Sequence, residues 1–343
     1  MNTKKIGILS AGGDCPGINA AIRGFGKAAI LKYGMSVFGI SSGYIGLIKK
    51  DVTELDLSAL SGILTLGGTI LGTSREKPFK KNKNSLDFSS KPKEMIENYK
   101  QLGFDCLVCI GGNGTQKTAF QLSEIGINVV GIPKTIDNDI WGTDISFGFD
   151  SALNIATEAI DRVHTTANSH NRTIVIEVMG HNTGWLALYA GLAGGADMIL
   201  IPEIPYKENI IAEFIEKRYK DKKRYSIIVV AEGIDSPEKK YPGEYIAKRL
   251  NELTGIETRC TILGYLQRGG SPSPSDRILA TQFGYYAAEM INKGDYGRMV
   301  SITNSKFSSI PLQVAASKIK TIPANHPMIQ RARDIGTSFG DQL

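Results

Sequence analysis

The chain has 343 residues, 42% hydrophobic and 22% charged, with a formal net charge of +6 from 40 Lys and Arg against 34 Asp and Glu. That length suits two domains of ordinary size or one large one, and the composition is that of a soluble globular protein without low-complexity blocks. No apolar run approaches the roughly 20 residues that span a bilayer, so a membrane protein is not expected. The mild basic excess suggests anionic ligands, but no basic helix or aromatic platform supports nucleic-acid binding.

The N-terminal "MNTKKIGILSAGGDCPG" has lysines and an apolar stretch. At about five residues before Gly-Gly-Asp, it reads as a buried first strand rather than a signal peptide. "KIGILSAGG" then leads to the helical pattern "GINAAIRGFGKAAILKYG", and "SVFGISSG" follows as a second strand. The Lys-rich stretch at 75–93 lacks apolar periodicity and reads as a mobile surface loop. "DCLVCIGGNG" leads to "TQKTAFQLSEIG", and "INVVGIPKT" leads across a loop to "SALNIATEAIDRVHTTANSH". After these come "RTIVIEVMG", the helix "GWLALYAGLAGGA", "DMILIPEI", "ENIIAEFIEKRYKDKK", "YSIIVVAEG", "PGEYIAKRLNELTG" and "CTILGYLQRGG". A long helix, "SDRILATQFGYYAAEMINKG", precedes "MVSITN".

Uninterrupted Val/Ile/Leu strands alternating with amphipathic helices point to an α/β fold, with two doubly wound, Rossmann-like domains and mostly parallel sheets. Ligands of such sheets bind at the carboxyl ends of strands. Six unusual clusters fall there: 10–17, 110–115, 133–139, 177–185, 231–233 and 263–270. Cys106 and Cys109 are spaced as C-x-x-C but would face opposite sides of a strand. With Cys15 and Cys260 they read as free thiols of a reducing cytoplasm.

Gly12-Gly13-Asp14-Cys15-Pro16-Gly17 follows the first strand and opens a helix, with Pro16 suited to the first helical position. Glycines let backbone N–H groups approach a phosphate, and a helix N-terminus adds partial positive charge. The spacing is not that of a Walker A loop. Gly111-Gly112-Asn113-Gly114-Thr115 repeats the arrangement and reads as a phosphate-donor loop. "VVGIPKTIDNDIWGTD" then places Lys134 and Thr135 before Asp137, Asp139 and Asp144. Phosphoryl transfer to an alcohol needs a carboxylate for the hydroxyl proton and cations for the phosphoryl oxygens. Either Asp137 or Asp139 can serve as base while the other holds Mg²⁺, and Lys134 and Thr135 can reach the transferred group. A solvated turn with a capping Asp is the plainer reading of these residues. Arg75, Arg172, Arg259 and Arg268 are candidates for a second, sugar-bound phosphate through forked hydrogen bonding.

Taken together, "GGDCPGINAAIRG", "GGTILGTSR", "IGGNGT", "PKTIDNDIWGTD", "FGFDSA", "EAIDR", "IEVMGHNTGW" and "LGYLQRGGSPSPSDRILA" resemble the ATP/pyrophosphate-dependent 6-phosphofructokinase family nearly end to end. The resemblance implies phosphoryl transfer to the 1-hydroxyl of fructose 6-phosphate by a cytoplasmic, Mg²⁺-using glycolytic enzyme. The chain would cross between its two domains more than once. A phosphoryl-donor-binding domain is expected over 1–148 with about 267–317, and a sugar-phosphate-binding domain over 149–266 with about 318–343. It makes Asp137 the general base beside Thr135, Lys134 and Asp139, and Asn113 and Asp139 the metal ligands. Gly12, Arg75, Gly112, Asn113, Gly114 and Thr115 face the donor. Thr135, Asp137, Asp139, Met179, Gly180, His181, Glu232, Tyr265 and Arg268 face the sugar phosphate. Arg172 and Arg259 would reach the sugar phosphate of a neighbouring subunit, which implies a homo-oligomer, commonly a tetramer.

The sequence departs from the family pattern at three places. Asn113 stands where aspartate is usual, which removes one negative charge from the donor loop. His181 stands where many members have arginine; histidine is shorter and titrates near neutrality. Gly114 with Lys134 is a mixed pair. The glycine leaves room for a nucleotide, and the ammonium favours a bare phosphate terminus. Steric exclusion is harder to overcome than an added cation, so ATP is expected as donor over pyrophosphate. A catalytically weak sugar-phosphate-binding regulator is the non-enzyme alternative. Arg23 and Arg162 match cationic effector positions of regulated bacterial members, but Lys27 and His164 replace arginines, so effector control is expected to be weak or absent.

Overall fold

The computed structural model of the protein describes residues 3–80, 90–237 and 241–343. The chain divides into two compact units. Residues 1–135, 140–151 and 268–319 make the first, and residues 136–139, 152–267 and 320–343 make the second.

The first unit begins with strand β1 (Lys5–Ala11), helix α1 (Ile18–Tyr33), β2 (Ser36–Ile40), α2 (Tyr44–Lys49) and β3 (Val52–Glu54). It continues through α3 (Lys91–Gln101), β4 (Cys106–Gly111), α4 (Asn113–Glu124), β5 (Val129–Thr135), β6 (Phe147–Gly148) and the start of α5 (Phe149–His170). The second unit takes over along α5. It contains β7 (Thr173–Val178), α6 (Trp185–Ala193), β8 (Met198–Leu200), α7 (Glu208–Lys220), β9 (Ser226–Ala231), α8 (Pro242–Thr254) and β10 (Thr258–Ile262). The chain returns to the first unit for α9 (Pro274–Lys293), β11 (Arg298–Thr303), β12 (Lys306–Pro311) and α10 (Leu312–Ala315). It ends in the second with α11 (Pro327–Asp334).

The strands of the first unit run in the order β12-β11-β5-β4-β1-β2-β3, with β6 added to β5. Pairings among β2, β1, β4, β5 and β11 are parallel; the two edge pairs, β2 with β3 and β11 with β12, are antiparallel. The second unit has the order β10-β7-β9-β8, all parallel. Every residue of β4, β5, β7 and β9 is buried, as parallel strands covered on both faces require. In the first unit, Leu9 of β1, Leu107 and Cys109 of β4 and Val129 of β5 pack with Met95, Tyr99, Ala119 and Leu122 from the helices.

Helix α1 stops at Gly34, whose left-handed backbone lets its N–H reach the carbonyls of Ala29 and Ile30. Its start differs from expectation: Ile18 is its first residue and Gly17 its N-cap, so Pro16 lies in the turn before the helix. Helices α1 and α9 cross closely. A Cβ at Gly24 would lie 2.5 Å from the Thr281 carbonyl oxygen, and one at Gly284 2.4 Å from that of Ala21. Helix α9 is capped by Ser273, whose Oγ accepts from the Asp276 N–H at 3.2 Å, with Pro274 at the first helical position.

The surface-loop expectation for 75–93 is corrected at its end. Residues 81–89 lie outside the described residues, but from Lys91 the chain is helical, with Pro92 in the first turn and Met95, Asn98 and Tyr99 buried at helical spacing. Among the described residues, no helix is long and apolar enough to cross a membrane.

Candidate functional site

In the first unit, two glycine loops follow adjacent parallel strands, β1 and β4. Gly12 has φ +87° and donates its N–H to the Ser74 carbonyl at 2.9 Å, while Thr73 Oγ1 donates to the Gly12 carbonyl at 2.7 Å. The segment carrying exposed Arg75 is thereby laid against the first loop. In the second loop Gly112 is the N-cap of α4, so Asn113, Gly114 and Thr115 form the helix's first turn. N–H groups of a first helical turn have no acceptor within the helix and suit an anion. Thr115 is 5% exposed and points its Oγ1 inward, onto the Ala11 carbonyl at 3.1 Å. It ties the second loop to the end of β1, and its side chain serves that junction. Gly114 is exposed, and a Cβ added there would meet nothing within 4 Å.

Lys134 and Thr135 are the last two residues of β5, paired with Phe147 and Gly148. Lys134 is 3% exposed, and its Nζ donates to the Gly13 carbonyl oxygen. Arg268 also belongs to this unit. Its Nη1 donates to the Asp14 carbonyl at 3.1 Å, and it closes on Gly13 so tightly that a Cβ there would lie 2.7 Å from the same nitrogen. Two cations therefore hold the Gly13 and Asp14 carbonyls of the first loop. Cys15 beside them is buried, which pushes its thiol up to about 12, and all four cysteines are free thiols.

The same unit contains a buried acid. Asp276, 1% exposed, accepts from Ser151 N–H and Oγ at 2.8 and 2.5 Å, and Ser273 Oγ donates to Asp150 at 2.5 Å. Burial pushes the Asp276 carboxyl up to about 6 despite the donors from Ser151. Sequence reading did not single out this group.

In the second unit, Asp137 and Asp139 flank Asn138, which has φ +49°. A left-handed residue between them breaks the period-two alternation that would put both carboxylates on one face. Asp139 is 5% exposed and Asp137 half-buried. Thr183 Oγ1 donates to the Asp137 carbonyl at 3.4 Å, bringing the loop after β7 to this turn. In that loop Met179 N–H donates to Gln267 Oε1 at 3.3 Å, and Gly180 has φ +148°. His181, exposed and at φ +51°, donates its N–H to Glu232 Oε1 at 2.8 Å. A Cβ at Gly233 would sit 2.0 Å from the His181 carbonyl oxygen, so only glycine lets the turn after β9 close here. Met179, Gly180, His181 and Glu232 are therefore one assembly, and Gln267 links it to the 3-10 turn Gly264–Arg268 that bears Tyr265. Tyr265 is 76% exposed.

Arg172 and Arg259 share one carboxylate. Arg172 Nε lies 2.8 Å from Glu257 Oε2, and Arg259 Nη2 lies 2.8 Å from Oε1. This double pairing holds the Glu257 carboxyl below its usual range. At the positions considered for effectors, Arg162 pairs with Glu158, and the His164 ring bonds the Gly194 carbonyl at 2.6 Å.

Residues 5–291 match the family model described as "Phosphofructokinase". The chain is 56% identical to an ATP-dependent 6-phosphofructokinase of Spirochaeta thermophila, over 99% of this chain and 98% of the relative. It is also 56% identical to ATP-dependent 6-phosphofructokinase 3 of Bacteroides thetaiotaomicron, over 98% of this chain and 100% of the relative. Among solved structures, phosphofructokinase from Saccharomyces cerevisiae superposes with a TM-score of 0.82 at 31% identity, covering 99% of this chain and 48% of the yeast chain. With a family match over most of its length and full-length relatives at this identity, the chain belongs to the phosphofructokinase family.

Proposed function

We propose that the protein transfers the terminal phosphoryl group of ATP to the 1-hydroxyl of fructose 6-phosphate, giving fructose 1,6-bisphosphate and ADP. One observation carries the choice of ATP: the exposed first turn of α4 at Gly114 has open space where a side chain would crowd a nucleotide. The relatives named above are called ATP-dependent, which agrees. Lys134 is the feature that favours pyrophosphate, but its ammonium is buried and engaged by the Gly13 carbonyl.

In this reading Gly12, Arg75, Gly112, Asn113, Gly114 and Thr115 form the donor-binding half of the site. The backbone N–H groups at the start of α4 and the Arg75 guanidinium meet the phosphates. Asp137 accepts the proton of the attacking hydroxyl, and Thr135 and Lys134 steady the phosphoryl group in flight. Met179, Gly180, His181, Glu232, Tyr265 and Arg268 hold the sugar phosphate. Arg172 and Arg259 reach the sugar phosphate of a neighbouring subunit of a homotetramer, exchanging Glu257 for the phosphate. The first unit is then the donor-binding domain and the second the sugar-phosphate-binding domain of a cytoplasmic glycolytic enzyme.

A divalent cation fits the candidate donors. Asn113 and Asp139 each offer a hard oxygen ligand. That fits Mg²⁺, which keeps waters and substrate phosphate oxygens around it and takes one or two protein oxygens. When bound, it neutralises charge on the phosphoryl oxygens. Incubation with fructose 6-phosphate, ATP and Mg²⁺, followed by phosphorus NMR, tests the reading. It predicts the 1-phosphate resonance of fructose 1,6-bisphosphate, and sugar left unmodified at high enzyme concentration would refute it.

A further inference from the structure

We propose that Lys320 is a positioning residue for phosphoryl transfer, holding the turn Asp137-Asn138-Asp139 through the side chain of Asn138. This rests on the reading of Asp137 as base.

Lys320 lies where the chain re-enters the second unit, 182 positions beyond Asn138. It contributes three groups to one junction. Its N–H donates to the Asp139 carbonyl at 2.8 Å, and its carbonyl accepts from Trp185 Nε1 at 2.8 Å. Its Nζ donates to Asn138 Oδ1 at 2.9 Å, with the ammonium 5.5 Å from the centre of the Trp185 ring. The neighbouring residues reinforce the junction. Glu203 accepts from Gly184 N–H at 3.1 and 3.0 Å and from Ile322 N–H at 3.1 Å. The C-terminal segment is thus bonded to the loop carrying His181 and to the turn carrying both aspartates.

Asn138 is the residue that most needs such a hold. It is 5% exposed and left-handed, a conformation that asparagine adopts more readily than most residues but still at a cost. A charged donor on its amide oxygen fixes the side chain and, through it, the direction in which the backbone presents Asp137 and Asp139. Of the three bonds from Lys320, two are made by backbone and survive any side-chain replacement. The bond to Asn138 and the contact with the Trp185 ring are made by the ammonium, so a side-chain substitution tests positioning while the backbone bonds remain.

The test uses the full chain with Lys320→Met, Lys320→Arg, Asp137→Asn and the double variant Lys320→Met/Asp137→Asn. Small displacements of a reacting group cost up to about 100-fold in rate, so Lys320→Met is expected to lower kcat about 10- to 100-fold. KM for both substrates should change less than about threefold. Lys320→Arg, which keeps the cation, should recover most of the loss. In the double variant the two losses should not multiply, because Lys320 acts through the turn that Asp137→Asn has already disabled. A Lys320→Met enzyme with unchanged kcat, or losses that multiply fully with those of Asp137→Asn, overturns the proposal. An Asp137→Asn enzyme with full activity would instead sink the assignment of the base.

Discussion

The ammonium of Lys134 sits on the carbonyl oxygen of Gly13, joining the end of β5 to the first glycine loop. A buried cation fixed in this way stiffens the donor loop, and in the proposed reading it steadies the transferred phosphoryl group whichever donor supplies it. The choice of donor therefore turns on Gly114. An aspartate there would have room, since a Cβ meets nothing within 4 Å, and a carboxylate suits a first helical turn. Gly114→Asp should thus fold with an unchanged melting temperature yet repel a nucleotide's phosphates. Its kcat/KM for ATP should fall about 100-fold, equivalent to about 2.7 kcal/mol. Initial rates across an ATP series check this; an unaffected value would mean that the nucleotide does not pass Gly114.

Removing the base tests the chemistry itself. Asp137→Ser should lower kcat by about 10² to 10⁴, the usual worth of a positioned general base, with KM for fructose 6-phosphate within a few-fold. Steady-state kinetics separate the two. A comparable loss in substrate binding would make Asp137 a structural residue of its turn.

Gly233→Ala tests the assembly of His181 and Glu232. The added methyl would lie 2.0 Å from the His181 carbonyl, so the loops must separate, at a cost of about 1–3 kcal/mol of the kind seen on overpacking. Denaturant titration should show that loss. KM for fructose 6-phosphate should rise several-fold while KM for ATP stays put. A rise in both would place the assembly outside the sugar half of the site.

Asp276 gives a pH dependence whose sign is fixed by its raised pKa. Between its ordinary 3.8 and about 6 the folded chain keeps this proton and the unfolded chain loses it, so stability falls as pH rises through that window. The shift corresponds to about 3 kcal/mol. Asp276→Asn cannot titrate, so the stability of the wild-type chain relative to this variant should decline between pH 4 and 6 and level off above. Unfolding free energies of both proteins across that range check it; a constant difference would mean that Asp276 is ionised throughout.

The central strands and the loops at their ends were legible because β1, β4, β5, β7 and β9 are apolar runs punctuated by Gly or Pro. Strand β12 was not. "KFSSIP" is a half-exposed edge strand with no apolar run, and its lysine and proline are residues that protect an edge. Helix α3 was hidden by the Lys-rich stretch before it, although Met95 and Tyr99 mark its buried face. The candidate site was readable wherever its residues follow one another, as in "PKTIDND". It was not readable where distant segments meet. Lys320 on Asn138, Glu203 on Gly184 and Ile322, and Arg268 on the Asp14 carbonyl leave no local pattern. Lys134 is a further case: a charged residue inside a buried strand is stable only with a partner, and the Gly13 carbonyl that it meets lies 121 residues away.

The most direct measurement is the initial rate with fructose 6-phosphate and Mg²⁺, with ATP and pyrophosphate supplied side by side. The account predicts turnover with ATP and little or none with pyrophosphate. Turnover with pyrophosphate alone would contradict it, and would mean that the buried Lys134 outweighs the open space at Gly114 in choosing the donor.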